Sequence, residues 1–178
     1  LEVFNEKESF FTVHVTGDFE ADPRTNPIIS YAVDGMLLQM YRTSTDRIEG
    51  LEPTVTDEQK ILEQFLAFES GFIREKTDTN IEVNKEWGQT KNGQTYLYWH
   101  FTSPSSKDKE QKARTVQSEH YISMVINKQV LSLYSVVTNS DTKEKVQAML
   151  GRMADNVQIS PERIDLNSVL DKLTAGTD

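Results

Sequence analysis

The chain has 178 residues, 37% of them hydrophobic, a mean hydropathy of -0.55 and a formal charge of -9. That length suits one domain over residues 1–178 with a core of its own, while the acidic balance disfavours nucleic acid, whose phosphates need clustered Lys and Arg. There is no cysteine, so disulfides, thiolate metal sites and cysteine nucleophiles are excluded.

Ser9 to Thr16 (SFFTVHVT) alternates, with Phe11, Val13 and Val15 on one face and Thr12, His14 and Thr16 on the other. This is the pattern of a half-buried strand. Gly17 to Pro27 is rich in turn residues and reads as a loop. Between Ile28 and Thr43 two apolar runs meet at Asp34-Gly35, a pair suited to positive φ at both turn positions and so to a hairpin. Thr56 opens a helix through a T-x-x-Q capping box ending at Gln59. Ile61, Leu62, Phe65, Leu66, Phe68, Phe72 and Ile73 form the apolar stripe of that helix.

Strands over Ile81–Gln89 and Gln94–Thr102 flank Asn92-Gly93, a second hairpin signal of the type I′ kind. Ser103 to Ala113 (SPSSKDKEQKA) has nothing to bury before Ala113 and reads as a mobile loop, dispensable for folding. Arg114–Asn127 and Gln129–Thr138 form a third hairpin, turning near Asn127-Lys128. Ser140 or Asp141 then caps a helix carrying Val146, Met149, Leu150, Met153 and Val157. Asp165–Ala175 reads as a short terminal helix.

The expected fold class is α+β, with about six antiparallel strands packed in layers against two main helices and a short C-terminal one. Leu97, Trp99, Phe101, Ile122, Met124, Leu131, Leu133, Val146, Met149, Leu150 and Met153 are the expected core.

Chemistry is sparse. His14, His100 and His120 all fall on predicted strands, with no H-E-x-x-H or other metal-ligand spacing to bring them together, so no metal site is expected. Glu119 and His120 are adjacent on a strand and point to opposite faces, so they do not form an acid–base pair. Ser140 to Lys143 fits S-x-x-K at a helix start, but its companion motifs are missing and helix capping explains the serine. Phosphate-loop, dinucleotide, nucleophile-elbow and calcium-loop patterns do not occur. No catalytic, cofactor-binding or metal residue is therefore assigned, and no enzyme is expected. Tyr96, Tyr98 and His100 alternate with Leu97, Trp99 and Phe101. The second set is core beneath a helix. The first set combines apolar bodies with polar tips and is the candidate binding face.

The stretches NGQTYLYWHFTS and HYISMVINKQVLSLYSVVTNSDTKEKVQAMLGRMADNV form a strand hairpin that leads into a closing helix, and they resemble the PsbP/DcrB-like α/β/α sandwich family. The resemblance covers the last half of the chain and the helix from Thr56, and it rests on apolar spacing. It implies a non-enzymatic accessory or binding domain with a protein partner and no cofactor, exported to the periplasm or cell envelope of a bacterium. No run of about 18 apolar residues is present to span a membrane. The chain starts at Leu1 rather than Met, and the resemblance implies a removed signal peptide or a lipid-carrying cysteine upstream. The alternative is a cystatin-like or ketosteroid-isomerase-like cone, one helix in a curved sheet, which would bind a small ligand or transfer protons. The order of elements favours the sandwich, since here a major helix closes the sheet.

Overall fold

Strict alternation of apolar residues in the middle of the chain dictates strands, and each hairpin signal pairs them antiparallel. The computed structural model describes residues 1–6, 9–22, 28–104, 116–138 and 141–169. Its elements are β1 (Glu2–Glu6), β2 (Ser9–Val13), β3 (Phe19–Asp22), β4 (Ile29–Val33), β5 (Met36–Ser44), α1 (Glu58–Thr77), β6 (Asn84–Gln89), β7 (Thr95–Thr102), β8 (Ser118–Ile126), β9 (Gln129–Val137), α2 (Lys143–Asp155) and β10 (Val157–Ser160). Among the described residues, seven strands form one antiparallel sheet in the order β3-β4-β5-β9-β8-β7-β6. The other three form a second, β1-β2-β10.

Local chemistry accounts for most boundaries. Asp34 (φ 50°) and Gly35 (φ 78°) make the turn between β4 and β5, as their sequence predicts. Between β8 and β9 the positive φ falls on Asn127 (54°). The turn at Asn92-Gly93 is not the expected type I′. Gly93, not Asn92, takes the positive φ (82°), its N–H donates to the Thr90 carbonyl, and the Thr90 N–H donates to that of Gln94. A longer loop closed by a left-handed glycine has replaced the two-residue one.

Both helix caps shift from their expected residues. Asp57 rather than Thr56 caps α1, its Oδ1 accepting from the N–H groups of Gln59 (3.0 Å) and Lys60 (3.2 Å). A carboxylate gains more than a hydroxyl at the positive end of a helix. Thr142, not Ser140 or Asp141, caps α2 by accepting from the Lys145 N–H, while Asp141 accepts from the Thr138 hydroxyl. The second helix ends at Asp155, so Val157 is buried as the first residue of β10 and not as a helical one.

Among the described residues there are ten strands in two sheets, where about six were expected. Residues 19–22 of the expected Gly17–Pro27 loop form β3 along β4, and residues 23–27 lie outside the described ones. The strands β1, β3 and β10 have 5, 4 and 4 residues, too few to show a period. They form because β2 and β4 offer open backbone edges to pair with. Ile81 belongs to no strand, yet it is buried under α1, and β6 starts only at Asn84. The expected loop Ser103–Ala113 lies outside the described residues from 105 onward. Of the terminal helix, residues 166–169 are helical and Asp165 accepts from the Asn167 N–H (3.0 Å); the remainder lies outside them.

The seven-stranded sheet carries a core on each face. On one side α1 seals Leu97, Trp99, Phe101, Tyr121, Val125 and Val130 with Ile61, Leu62, Phe65 and Leu66. On the other, α2 and the three-stranded sheet cover Tyr98, Ile122, Met124, Leu131 and Leu133, with Phe4 stacked on Phe11 (centroids 4.4 Å). All eleven expected core residues are buried. Layers on both faces make this a sandwich and not the alternative cone.

Candidate functional site

The register of β6, β7 and β8 decides which polar side chains meet. Glu86 opposes Tyr98, Tyr98 opposes Ile122, and His100 lies directly opposite His120. Opposed residues share a face, so Tyr96, Tyr98, His100, His120, Ile122 and Met124 all point to the α2 side. The sequence kept the histidines apart. The structure stacks His100 on His120 with centroids 5.1 Å apart and leaves His14 exposed just beyond β2.

Each ring here has a defined environment. His120 is fully buried, with Nδ1 2.7 Å from the Tyr98 hydroxyl and Nε2 2.7 Å from the Ser118 hydroxyl. A neutral imidazole, one nitrogen donating and the other accepting, satisfies both contacts. Burial, then the neighbouring His100 and Lys143, push the His120 pKa down to about 4. Lys143 at the start of α2 donates to His100 Nε2 (3.1 Å), and burial followed by that same ammonium lowers the His100 pKa. Ser118, His120 and Tyr98 line up as a nucleophile, base and orienting group would. A general base must accept a proton, however, and these surroundings resist the imidazolium. The chain of hydrogen bonds is suited to holding His120 neutral.

Coverage of this face is uneven. The second helix packs mainly on β8 and β9. Tyr98 is sealed at 1% exposure, whereas Tyr96 and His100 remain half-buried beside the exposed edge strand β6. Lys143–His100 links α2 to β7 at one end of this strip, and Asp155 binds the Lys91 N–H (2.9 Å) and ammonium (3.3 Å) at the other. The Tyr96 ring lies across Gly88 on β6, where an added Cβ would stand 2.3 Å from its Cζ. Gly88→Ala should therefore swing Tyr96 outward at a cost of about 1 kcal/mol. Tyr96 ring chemical shifts and a melting curve check this, and an unmoved ring would refute the contact.

The opposite face holds a cluster that the sequence reading did not identify. Glu119 Oε2 accepts from the hydroxyls of Tyr121 (3.0 Å) and Tyr134 (3.3 Å), and its Oε1 accepts from Ser103 (2.9 Å). Tyr121 stacks on Trp99 at 3.8 Å, and the Trp99 indole N–H donates to Ser123, which meets Ser132. Burial, then the charge of Glu69 on α1, raise the Tyr41 pKa, and burial alone raises that of Glu69 to about 7. The available signal was parity: Glu119 and Tyr121 are two apart on one strand, so they share a face.

A solution structure of cyanobacterial PsbP from Synechocystis aligns with 89% of this chain and 92% of its own, at a TM-score of 0.54 and 6% identity. The fold is PsbP-like. No protein-family model matches the sequence, and neither does any curated protein.

The PsbP-like fold agrees with the resemblance drawn from the closing hairpin and helix. At 6% identity it transfers no site residue, so Tyr96, Tyr98 and His100 are assessed on their own geometry. Among the described residues, no helix is long and apolar enough to cross a membrane, and no three His, Asp or Glu side chains converge as metal ligands.

Proposed function

We propose that this protein is a non-enzymatic binding or assembly module, a single domain exported to the cell envelope, whose partner is a protein. The carrying observation is the uneven cover of the sheet: α2 packs mainly on β8 and β9, and Tyr96 and His100 stay half-buried beside an open edge strand. Half-buried aromatics with polar tips are the side chains that interfaces favour. A PsbP-like fold and neutral, hydrogen-bonded histidines support binding over catalysis. A lipid anchor preceding Leu1 would hold such a module at a membrane surface.

Replacing both Tyr96 and His100 with alanine should release the protein from its complex in extracts of its host. Wild type should elute well above 20.4 kDa and the double variant near that mass. Wild type eluting as a free monomer, or a variant still in the complex, overturns the reading. Recovery in the cytosolic fraction would defeat export alone.

A second reading, a small-ligand site, is favoured by Glu69 and the tyrosines around Glu119 beneath α1. A carboxyl titrating near 7 is placed for proton exchange. It requires that Glu69→Gln abolish binding or turnover of a small molecule while the Tyr96 and His100 variants do not.

A further inference from the structure

Away from both clusters, the outer flank of α1 and the segment after β5 enclose an open groove of about 530 Å³. Helical spacing puts Gln64, Ala67, Phe68, Gly71 and Glu75 on this flank. The groove is built rather than incidental. Ile48 is buried beneath α1, and Gln64 donates to the Glu49 carbonyl (2.8 Å), fixing the second wall against the first. Gly50 (φ 78°) brings that wall close, where an added Cβ would stand 2.8 Å from Gln64 Nε2.

Its floor is kept low by small residues. Gly71 is the poorest helix former short of proline, yet it sits inside a 20-residue helix with nothing within 4 Å of where its Cβ would be. Ala67, one turn earlier, is also exposed. Phe68 and Phe72 stand beside this dip, and Phe72 is 49% exposed even with Lys76 over one side of its ring. The rim is acidic on balance: Glu49 stands on one wall and Glu75 on the other, against the Lys76 ammonium over Phe72. An apolar dip between two carboxylates complements a hydrophobic side chain flanked by positive charge, and it repels an anionic lipid surface.

We propose that this groove docks a partner-protein segment presenting an apolar side chain between basic ones. It lies on the α1 side of the sheet, so it is independent of the Tyr96–His100 face and would stand if that reading failed. A mild device makes it testable. Leucine at Gly71 fills the dip from open space and improves helix propensity, so Gly71→Leu should fold at least as well as the parent while closing the groove.

The probe is a short synthetic amphipathic helix of leucine and lysine, followed by amide chemical shifts of the full chain. Controls carry serine for leucine or glutamate for lysine. Shifts should centre on Gly50, Ala67 and Gly71, and both controls should bind at least about tenfold more weakly. Gly71→Leu should lose about tenfold or more in affinity and melt no lower than wild type. Equal binding by Gly71→Leu, shifts centred elsewhere, or no binding at millimolar peptide would overturn the proposal. So would groove-dependent binding to phosphatidylglycerol vesicles in place of the peptide.

Discussion

Replacing Trp99 with alanine should lower the unfolding free energy by about 3–5 kcal/mol. Trp99 is fully buried at the centre of β7 and lies flat on Tyr121, with ring centroids 3.8 Å apart and planes 4° from parallel. Truncation would remove this stack, open a void beneath α1, and strip Ser123 of the indole N–H that donates to it at 3.1 Å. Void and lost contact act together, because neither sheet nor helix can collapse freely onto the gap. At roughly 2–4 °C per kcal/mol for a chain of this size, the melting temperature should fall by about 6–20 °C. Circular dichroism melts of Trp99→Ala and Trp99→Phe read this directly. The phenylalanine variant keeps most of the area and should recover over half of the loss. A Trp99→Ala protein melting with the parent would mean that the ring does not support α1.

Stability should also depend on pH in two opposed ways. His120 has a folded pKa of about 4 against an ordinary 6.5. Between those values the unfolded chain binds more protons, so the stability due to neutral His120 is present above about 6.5 and lost as pH falls towards 4. The full effect is about 3 kcal/mol. Glu69 has the reverse sign. Its carboxyl titrates at about 7 when folded against an ordinary 4.5, so the folded chain holds the extra proton and stability declines as pH rises through that window, by about 1–3 kcal/mol. Because the windows overlap, wild type should vary little between about pH 5 and 6.5. Glu69→Gln should be the more stable protein at pH 8 and should lose stability steeply on acidification. Urea titrations of both proteins from pH 4 to 8 measure this. A Glu69→Gln profile parallel to wild type would show that Glu69 is solvated.

Much of the candidate face was legible in advance, since alternation alone separates Tyr96, Tyr98 and His100 from Leu97, Trp99 and Phe101. How open that face is could not be read from it. That Tyr96 stays half-buried while Tyr98 is sealed depends on how α2 and the three-stranded sheet cover β7. Likewise, His100 meets His120 only because β7 and β8 pair in a register that no local signal sets.

What the sequence by itself determined is local: strand faces from parity, the Asp34-Gly35 turn from its φ demands, the apolar stripes of both helices, and the eleven core positions. Those follow from interactions within a few residues. Tertiary structure decided the rest. The β10 strand is a strand because β2, more than 140 positions earlier in the chain, offers it an edge, and β3 forms only along β4. Glu119 meets Tyr134 across a hairpin, and it faces the side where Glu69 on α1 lies half-buried near Tyr41. Each of these is a choice among partners distant in sequence, and it is settled by which pairing buries the most apolar surface while leaving the fewest backbone groups unpaired.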